Sequence, residues 1–303
     1  MKLLRSWTHP SQACVATIGN FDGLHLGHQS VIRQMQDKAQ HLGLASTVIS
    51  FEPLPAEYLR QPPPSRILPL RDKLIYLNCL GLDQFACLPF NQALAEMEPE
   101  NFIQDILLDG LQVRALVVGD DFRFGRKRRG DYQLLQTMGA KQGMEVIQTS
   151  TLLHANDRVS STWVRQALAQ ADLTTVKTLL GRAYSLSGRV RHGNKLGRTI
   201  GFPTLNLRIP ENIALCKGVY AVHAYRDSTS IVKGIANLGS RPTVNGIESR
   251  LEVHLFDFAE QIYGEHWAIE PIAFIRTEQR FASFDLLKQQ IALDVEQARR
   301  LLH

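Results

Sequence analysis

ACVATIGNFDGLHLGH, residues 13–28, decides how the first half of the chain folds. Residues 13–20 read as a buried strand that ends at a glycine. Residues 26–42 then repeat apolar side chains at helical spacing, through Leu26, Val31, Ile32, Met35 and Ala39. Working outward, LASTVISF (44–51) reads as a second strand, and FACLPF (85–90), VRALVVGD (113–120) and MEVIQTS (144–150) as further short apolar runs. Helical stretches at 70–80 and 99–109 precede two of them. Strands alternating with helices predict a parallel α/β sheet with helices on both faces. The proline-rich stretch EPLPAEYLRQPPPSR (52–66) is expected to be irregular, a lid near the sheet edge.

The texture changes near residue 182. From Tyr184 the segments are short, alternating and punctuated by glycine: YSLSGRVRHG, TLNLRI, VYAVHAY, IVKGIANLG, RLEVHLFDF and WAIEPIAFI. That pattern predicts an antiparallel barrel or sandwich. SFDLLKQQIALDVEQARRLL (283–302) starts on serine and reads as an amphipathic helix, with Phe284, Leu287, Ile291, Val295 and Ala298 on one face. The expected organisation is an α/β domain over 1–182, ending in a helical connector around 160–181, and a β-barrel domain over 183–303 capped by the last helix.

The bulk figures agree with two domains. The chain has 303 residues, 44% hydrophobic and 21% charged. No apolar run reaches the roughly 18 residues that span a bilayer. The start, MKLLRSWTHPSQACV, lacks the apolar core of a secretory signal. Cys14, Cys79, Cys87 and Cys216 form no CxxC pair and read as buried, reduced thiols of a cytoplasmic protein. The net charge of +5 suits anionic partners such as nucleotides, nucleic acid or a membrane surface. The basic cluster Arg123, Arg126, Lys127, Arg128 and Arg129 reads equally as a solvated loop or a phosphate contact.

Chemistry concentrates in a few places. Gly19, Gly23 and Gly27 let a backbone approach a ligand, and the helix that begins there offers unpaired N–H groups to phosphate. His25 and His28 share one face of a helical turn and can donate to phosphate oxygens as charge develops. This is an HxGH pattern, which resembles the signature of nucleotidyltransferases and by itself names no acceptor. Asp22 reads equally as a carboxylate supporting the site or as a turn residue. In VVGDDFRFGRKRRGD (117–131), Asp121, Phe122 and Phe124 follow a strand, where open α/β sheets place ligands; stacking rings and a carboxylate suit a planar polar molecule, and a core role for both rings is the alternative. In VSSTWVRQAL (159–168), Ser160 or Ser161 can cap a helix, and Arg165 one turn later can fork onto phosphate, a plain capped helix with a surface arginine being the alternative.

In the second half, GRVRHGNKLGRTIGFPTLNL (188–207) joins glycines at 193, 197 and 201 to Arg191, Lys195 and Arg198, a phosphate cradle that is not a Walker loop. A basic hairpin loop is the plainer alternative. Thr204 and Asn206 point to one strand face, and two oxygen donors beside phosphate suit Mg²⁺. In RLEVHLFDF (250–258), Glu252 and His254 share one face, and Glu252 is a candidate general base or a plain solvent-side residue.

The ordered set GNFDGLHLGH, FEPLPAEYL, VGDDFRFGRKRRGD and VSSTWVRQAL is similar to the FAD synthetase module of bacterial bifunctional riboflavin kinase/FMN adenylyltransferases. GxxLGRxxGFPTxN, GVYAV, ANLGxRPT, LEVHLxDF and RFxSFxxLxxQIxxD resemble their riboflavin kinase module. The resemblance implies a Rossmann-like nucleotidyltransferase domain and a riboflavin-kinase-like antiparallel β-barrel. It implies ATP at Gly19, Asn20, Phe21, Gly23, His25, Gly27, His28, Ser160, Ser161, Thr162 and Arg165 in the first domain. In the second it implies ATP at Gly193, Lys195, Gly197, Arg198 and Gly201. It puts flavin at Asp121, Phe122 and Phe124, and at Asn237 and Arg241 in the barrel. It makes Thr204 and Asn206 ligands of Mg²⁺ and Glu252 the catalytic base. The usual PTAN is PTLN here, and Leu205 falls on the face opposite the two ligands. Riboflavin, FMN, FAD and ATP are the implied small molecules, with neither nucleic acid nor membrane as partner; self-association stays open. Two rivals stand: a nucleotidyltransferase with another acceptor, which leaves the second half idle, and an RNA-binding protein built on 123–129, which lacks a basic-aromatic signature.

Overall fold

The computed structural model describes residues 1–7, 12–150, 152–155, 157–191, 204–226, 230–243 and 246–303, with side chains throughout except at 240–243 and 246–248. The chain divides into two compact units, Met1–Pro64 with Lys73–Ser160, and Ser65–Asp72 with Ser161–His303.

The first unit is a six-stranded sheet of β1 (Lys2–Leu4), β2 (Cys14–Ile18), β3 (Ala45–Glu52), β4 (Gln84–Pro89), β5 (Val113–Gly119) and β6 (Glu145–Thr149). Its order is β1-β4-β3-β2-β5-β6, and every pairing is parallel. The central strands are near-continuous apolar runs because parallel strands are covered on both faces; all of β2 is buried. Helix α1 (Leu26–Leu42) returns the chain from β2 to β3, burying Ile32, Met35 and Ala39. It stops at Gly43, whose φ of 64° lets its N–H reach the carbonyls of Ala39 and Gln40.

The proline-rich stretch is more ordered than its composition suggests. It contains α2 (Pro55–Leu59), with proline in the first turn, where no N–H is missed. The Glu57 carboxylate accepts the N–H of Leu54 at 3.0 Å, and the Leu54 carbonyl accepts the N–H of Glu57 at 2.8 Å. Helices α3 (Leu70–Cys79), α4 (Gln92–Ala95) and α5 (Pro99–Asn101) follow, the last running into a π-helical stretch, Phe102–Gly110. Helix α6 (Tyr132–Gln142) leads to β6, and a small hairpin, β7 (Leu153–His154) with β8 (Asp157–Arg158), closes the unit.

The second unit begins with α7 (Ser161–Ala169) and α8 (Leu173–Leu180), so by packing these helices go with the barrel. Its strands are β9 (Leu186–Arg189), β10 (Leu205–Ile209), β11 (Gly218–Tyr225), β12 (Ile231–Thr243), β13 (Gly246–Leu255) and β14 (His266–Arg276). Their order is β10-β13-β12-β11-β14-β9, antiparallel throughout. An antiparallel bridge from Arg191 to Asn206 brings the two ends of the sheet together, giving a nearly closed barrel. Trp267, Tyr220 and Leu238 are among its buried side chains.

Helix α9 (Phe284–Leu301) packs on β11, β12 and β14, with Ser283 accepting the N–H of Leu286 at its start. The predicted face is only partly covered. Ala298 is buried, but Phe284 is 53% exposed, because the first turns of the helix run clear of the barrel. Asp294 is buried instead, clasped by Arg276 through Nε and Nη2. The cysteines also depart from expectation. All are free, yet only Cys14 is buried; Cys87 and Cys216 are half-buried and Cys79 is exposed.

Candidate active sites

The order of the parallel sheet fixes one crevice. From β2 the chain moves outward through β3 and β4, and from β5 it moves the opposite way to β6, so β2 and β5 are neighbours at a topological switch point. Ligands of open α/β sheets bind at the carboxyl ends of such strands. Both motifs of the first unit start there, one at Gly19 after β2 and one at Asp120 after β5.

The turn between β2 and α1 is tightly coiled. Phe21, Gly23 and Leu24 all take positive φ, at 46°, 86° and 48°. The cost of placing two bulky residues in that region is offset by burial of Phe21 and Leu24. The Asn20 carbonyl accepts from buried Lys73 Nζ at 2.8 Å and from the Ser50 hydroxyl at 3.2 Å. Asp22 is buried too, which fits a carboxylate that holds the turn.

His25 is the N-cap of α1. Its Nδ1 accepts the backbone N–H of His28 at 3.3 Å, so the ring proton sits on Nε2. The two imidazoles stack with centroids 3.6 Å apart and planes 19° from parallel, and the Phe21 ring tilts against His28 at 5.2 Å. Gly27 has a clear reason: a Cβ there would lie 3.2 Å from the His25 ring and 3.4 Å from the Val159 carbonyl oxygen. The glycine therefore admits the stacked histidines and lets the segment before α7 approach them.

After β5, Asp121 pairs with Arg158 at 2.8 Å, and Asp120 stands 3.8 Å from the same guanidinium. Phe122 and Phe124 stack at 5.5 Å, 12° from parallel. Phe124 is a core side chain, tilted against Phe102 and fixed by paired backbone hydrogen bonds with Gly130, while Phe122 is half-buried. In the basic cluster, Arg126 and Arg129 both bind Glu98, at 3.1 and 2.8 Å. Arg158 and Lys73 were not among the expected site residues. Neither sits in a recognisable motif, and only the folded chain shows what they hold. Ser160 ends the first unit; Ser161, Thr162 and Arg165 open α7 in the second, where Arg165 Nε donates to the Ser65 carbonyl at 2.7 Å.

In the barrel, register does what contiguity does in the first unit. Glu252 lies directly opposite Asn206 on one side and Asn237 on the other. Directly opposed residues of antiparallel strands share a face, so the three side chains form one row. Leu251 and Val253 are buried on the other face and Glu252 is exposed, as the alternation requires. Asn206 is itself buried, and its Oδ1 has no hydrogen-bond partner among the described residues. Two residues along, Gly239, Arg250 and Arg208 make a second row on the same face. Arg208 and Arg250 are thus directly opposed across the sheet. They escaped the sequence reading because their adjacency exists only in the sheet. Thr204 is half-buried just before β10. Gly193, Lys195, Gly197, Arg198 and Gly201 lie outside the described residues, as does the side chain of Arg241.

A family model described as FAD synthetase matches residues 8–163, and one described as riboflavin kinase matches residues 180–302. A protein of Escherichia coli (strain K12) named bifunctional riboflavin kinase/FMN adenylyltransferase is 46% identical over 99% of this chain and 97% of its own length. The chain belongs to the bifunctional riboflavin kinase/FMN adenylyltransferase family. A family member from Haemophilus influenzae is also 46% identical, over 95% of this chain and 94% of its own. A crystal structure described as a macrolide-efflux protein from Streptococcus pneumoniae is 28% identical, with a TM-score of 0.77 over 97% of this chain and 99% of that one. Among the described residues, no helix is long and apolar enough to cross a membrane.

Proposed function

We propose that the two reactions of the family are divided between two functional domains, residues 1–182 and residues 183–303. The chain is a riboflavin kinase and an FMN adenylyltransferase. In the barrel, Glu252 takes the proton of the terminal ribityl hydroxyl of riboflavin. That oxygen bonds to the γ-phosphorus of ATP as the bond to the β-phosphate oxygen breaks, giving FMN and ADP. The observation that carries this reading is the row Asn206–Glu252–Asn237, which sets a carboxylate beside two amides on one face. Asn237 and Arg241 serve the flavin, and Gly193, Lys195, Gly197, Arg198 and Gly201 the phosphates of ATP. The buried Oδ1 of Asn206, without a hydrogen-bond partner among the described residues, is an oxygen donor of the kind Mg²⁺ prefers, and with the Thr204 hydroxyl it would hold that ion. When bound, Mg²⁺ neutralises phosphate charge. Positioning and charge neutralisation then account for most of the rate.

In the N-terminal functional domain, an oxygen of the FMN phosphate attacks the α-phosphorus of ATP and pyrophosphate leaves, giving FAD. No protein nucleophile is required, since that phosphate is already anionic. Gly19, Asn20, Phe21, Gly23 and Gly27 line the nucleotide. The imidazoles of His25 and His28 stabilise charge on the five-coordinate phosphorus by donating to its oxygens. Ser160, Ser161, Thr162 and Arg165 serve ATP. Asp121 and Phe122 serve the flavin, with Phe124 stacked on Phe122. We place the enzyme in the cytoplasm, where its nucleotide substrates are.

The test is a time course with riboflavin, ATP and Mg²⁺, the flavins being separated by chromatography. FMN that rises and then gives way to FAD is the expected result. FMN without FAD removes the adenylyl-transfer assignment, and no new flavin from folded protein removes both.

A further inference from the structure

We propose that Glu278 is a riboflavin contact of the kinase site, its carboxylate accepting hydrogen bonds from the secondary hydroxyls of the ribityl chain. This rests on Glu252 being the base of that reaction. Glu278 follows β14 in an exposed stretch. Its Oε1 lies only 2.4 Å from where a Cβ on Gly239 would sit, and Asn237 Nδ2 is 3.1 Å from the same point. Gly239 is two residues after Asn237 on the same strand face, directly opposite Arg250. The carboxylate therefore enters the face of the sheet at the edge of the row that holds Glu252, through the gap the glycine leaves.

Among the described residues Glu278 has neither a hydrogen bond nor an ion pair, although Arg250 stands opposite Gly239. An acceptor held beside a base and an amide, with its own lone pairs free, matches the chemistry of a polyol. Riboflavin presents three secondary hydroxyls before the terminal one that reacts. An amide and a carboxylate gripping them would fix the reacting oxygen relative to Glu252. The ATP phosphates, being anionic, are not ligands for this group.

Gly239 makes the idea separable from folding. The nearest clashing atom is the end of a flexible, exposed side chain, so Gly239→Ala displaces Glu278, while its methyl group also stands 3.1 Å from Asn237 Nδ2. The experiment is steady-state kinase kinetics of the full chain for Glu278→Ala, Gly239→Ala and the double variant. FMN adenylylation is measured in the same samples. The expected result is a riboflavin KM raised about tenfold in each single variant, the scale of one charge-assisted hydrogen bond. The ATP KM and FMN adenylylation should stay at wild-type values, and the double variant should be no worse than Gly239→Ala alone, because the carboxylate is already displaced there. A riboflavin analogue lacking a secondary ribityl hydroxyl should bind the wild type more weakly and lose that difference in Glu278→Ala. An unchanged riboflavin KM in Glu278→Ala, or additive losses in the double variant, overturns the proposal. Failure of the wild-type chain to make FMN overturns the kinase reading on which it rests.

Discussion

In the first unit the residues of the histidine turn follow one another along the chain from Gly19 to His28, whereas in the second Asn206, Asn237 and Glu252 come from three strands and meet only through register. The first arrangement depends on one turn and one helix cap. Its geometry is set by local contacts: the Lys73 and Ser50 hydrogen bonds to Asn20, and the His25 cap. The second depends on the whole sheet, since a slip of one residue would send a side chain to the opposite face. A local site can be tuned by single substitutions near it. A register site tolerates changes in its loops but fails as a unit when pairing fails.

The sharpest way to break this comparison is to remove one group from each site and read both reactions. Glu252→Ala should lower FMN formation on the order of a thousandfold, as expected for a lost general base, while FAD formation from supplied FMN is unchanged. Loss of both reactions would mean that the units do not work separately. His28→Ala should do the reverse, cutting adenylyl transfer on the order of a hundredfold and sparing the kinase. Both rates can be read from one chromatogram, with riboflavin or FMN as the starting flavin.

A smaller effect separates the stability of the second unit from its chemistry. Asp72 is buried and accepts from the Ser187 backbone N–H at 3.2 Å and from its hydroxyl, tying the segment Ser65–Asp72 to β9. Burial pushes its carboxyl up to about 6, against the pull of the Ser187 hydrogen bonds and of Arg71 and Arg182. An acid whose folded value is raised binds its proton more tightly when folded. Its contribution is therefore complete below the unfolded value near 3.8 and is lost as pH rises through about 6. Asp72→Asn should remove this dependence, so its stability relative to wild type should rise between about pH 4 and 6 by up to about 3 kcal/mol. Thermal melts of the two proteins across that window make the check, and parallel curves would reject the assignment.

How much of this was legible in the sequence follows the same division. The parallel sheet was readable because buried strands are continuous apolar runs, and the GNFDGLHLGH turn because its residues are contiguous. The barrel was readable from alternation, as RLEVHLFDF shows: Leu251, Val253 and Leu255 are buried where the period of two puts them. What stayed hidden was pairing. No periodicity says that Glu252 faces Asn206, or that Arg208 faces Arg250. Composition misled over 52–66, where proline opens α2, and over Phe284, since amphipathic spacing identifies a face but not how far a partner extends along it. Helices α7 and α8 read as a connector because sequence adjacency does not reveal which core a helix joins.

The finest test of the local site uses its smallest residue. Gly27 lies in the first turn of α1, where alanine is favoured over glycine by up to about 1 kcal/mol. The strain on the His25 cap offsets that gain, so Gly27→Ala should change the melting temperature little. The new methyl group would meet His25 at 3.2 Å, at Cε1 and Nδ1, and Val159 on its other side at 3.4 Å. The ring that caps α1 cannot withdraw without loosening its bond from His28 and its stacking on that imidazole. Adenylyl transfer should fall about tenfold, the loss expected when catalytic groups are displaced by a fraction of an ångström, and the kinase should not respond. A variant that is both more stable and fully active in FAD synthesis would show that the stacked pair has slack. The precision attributed to the turn would then have to come from the ligand.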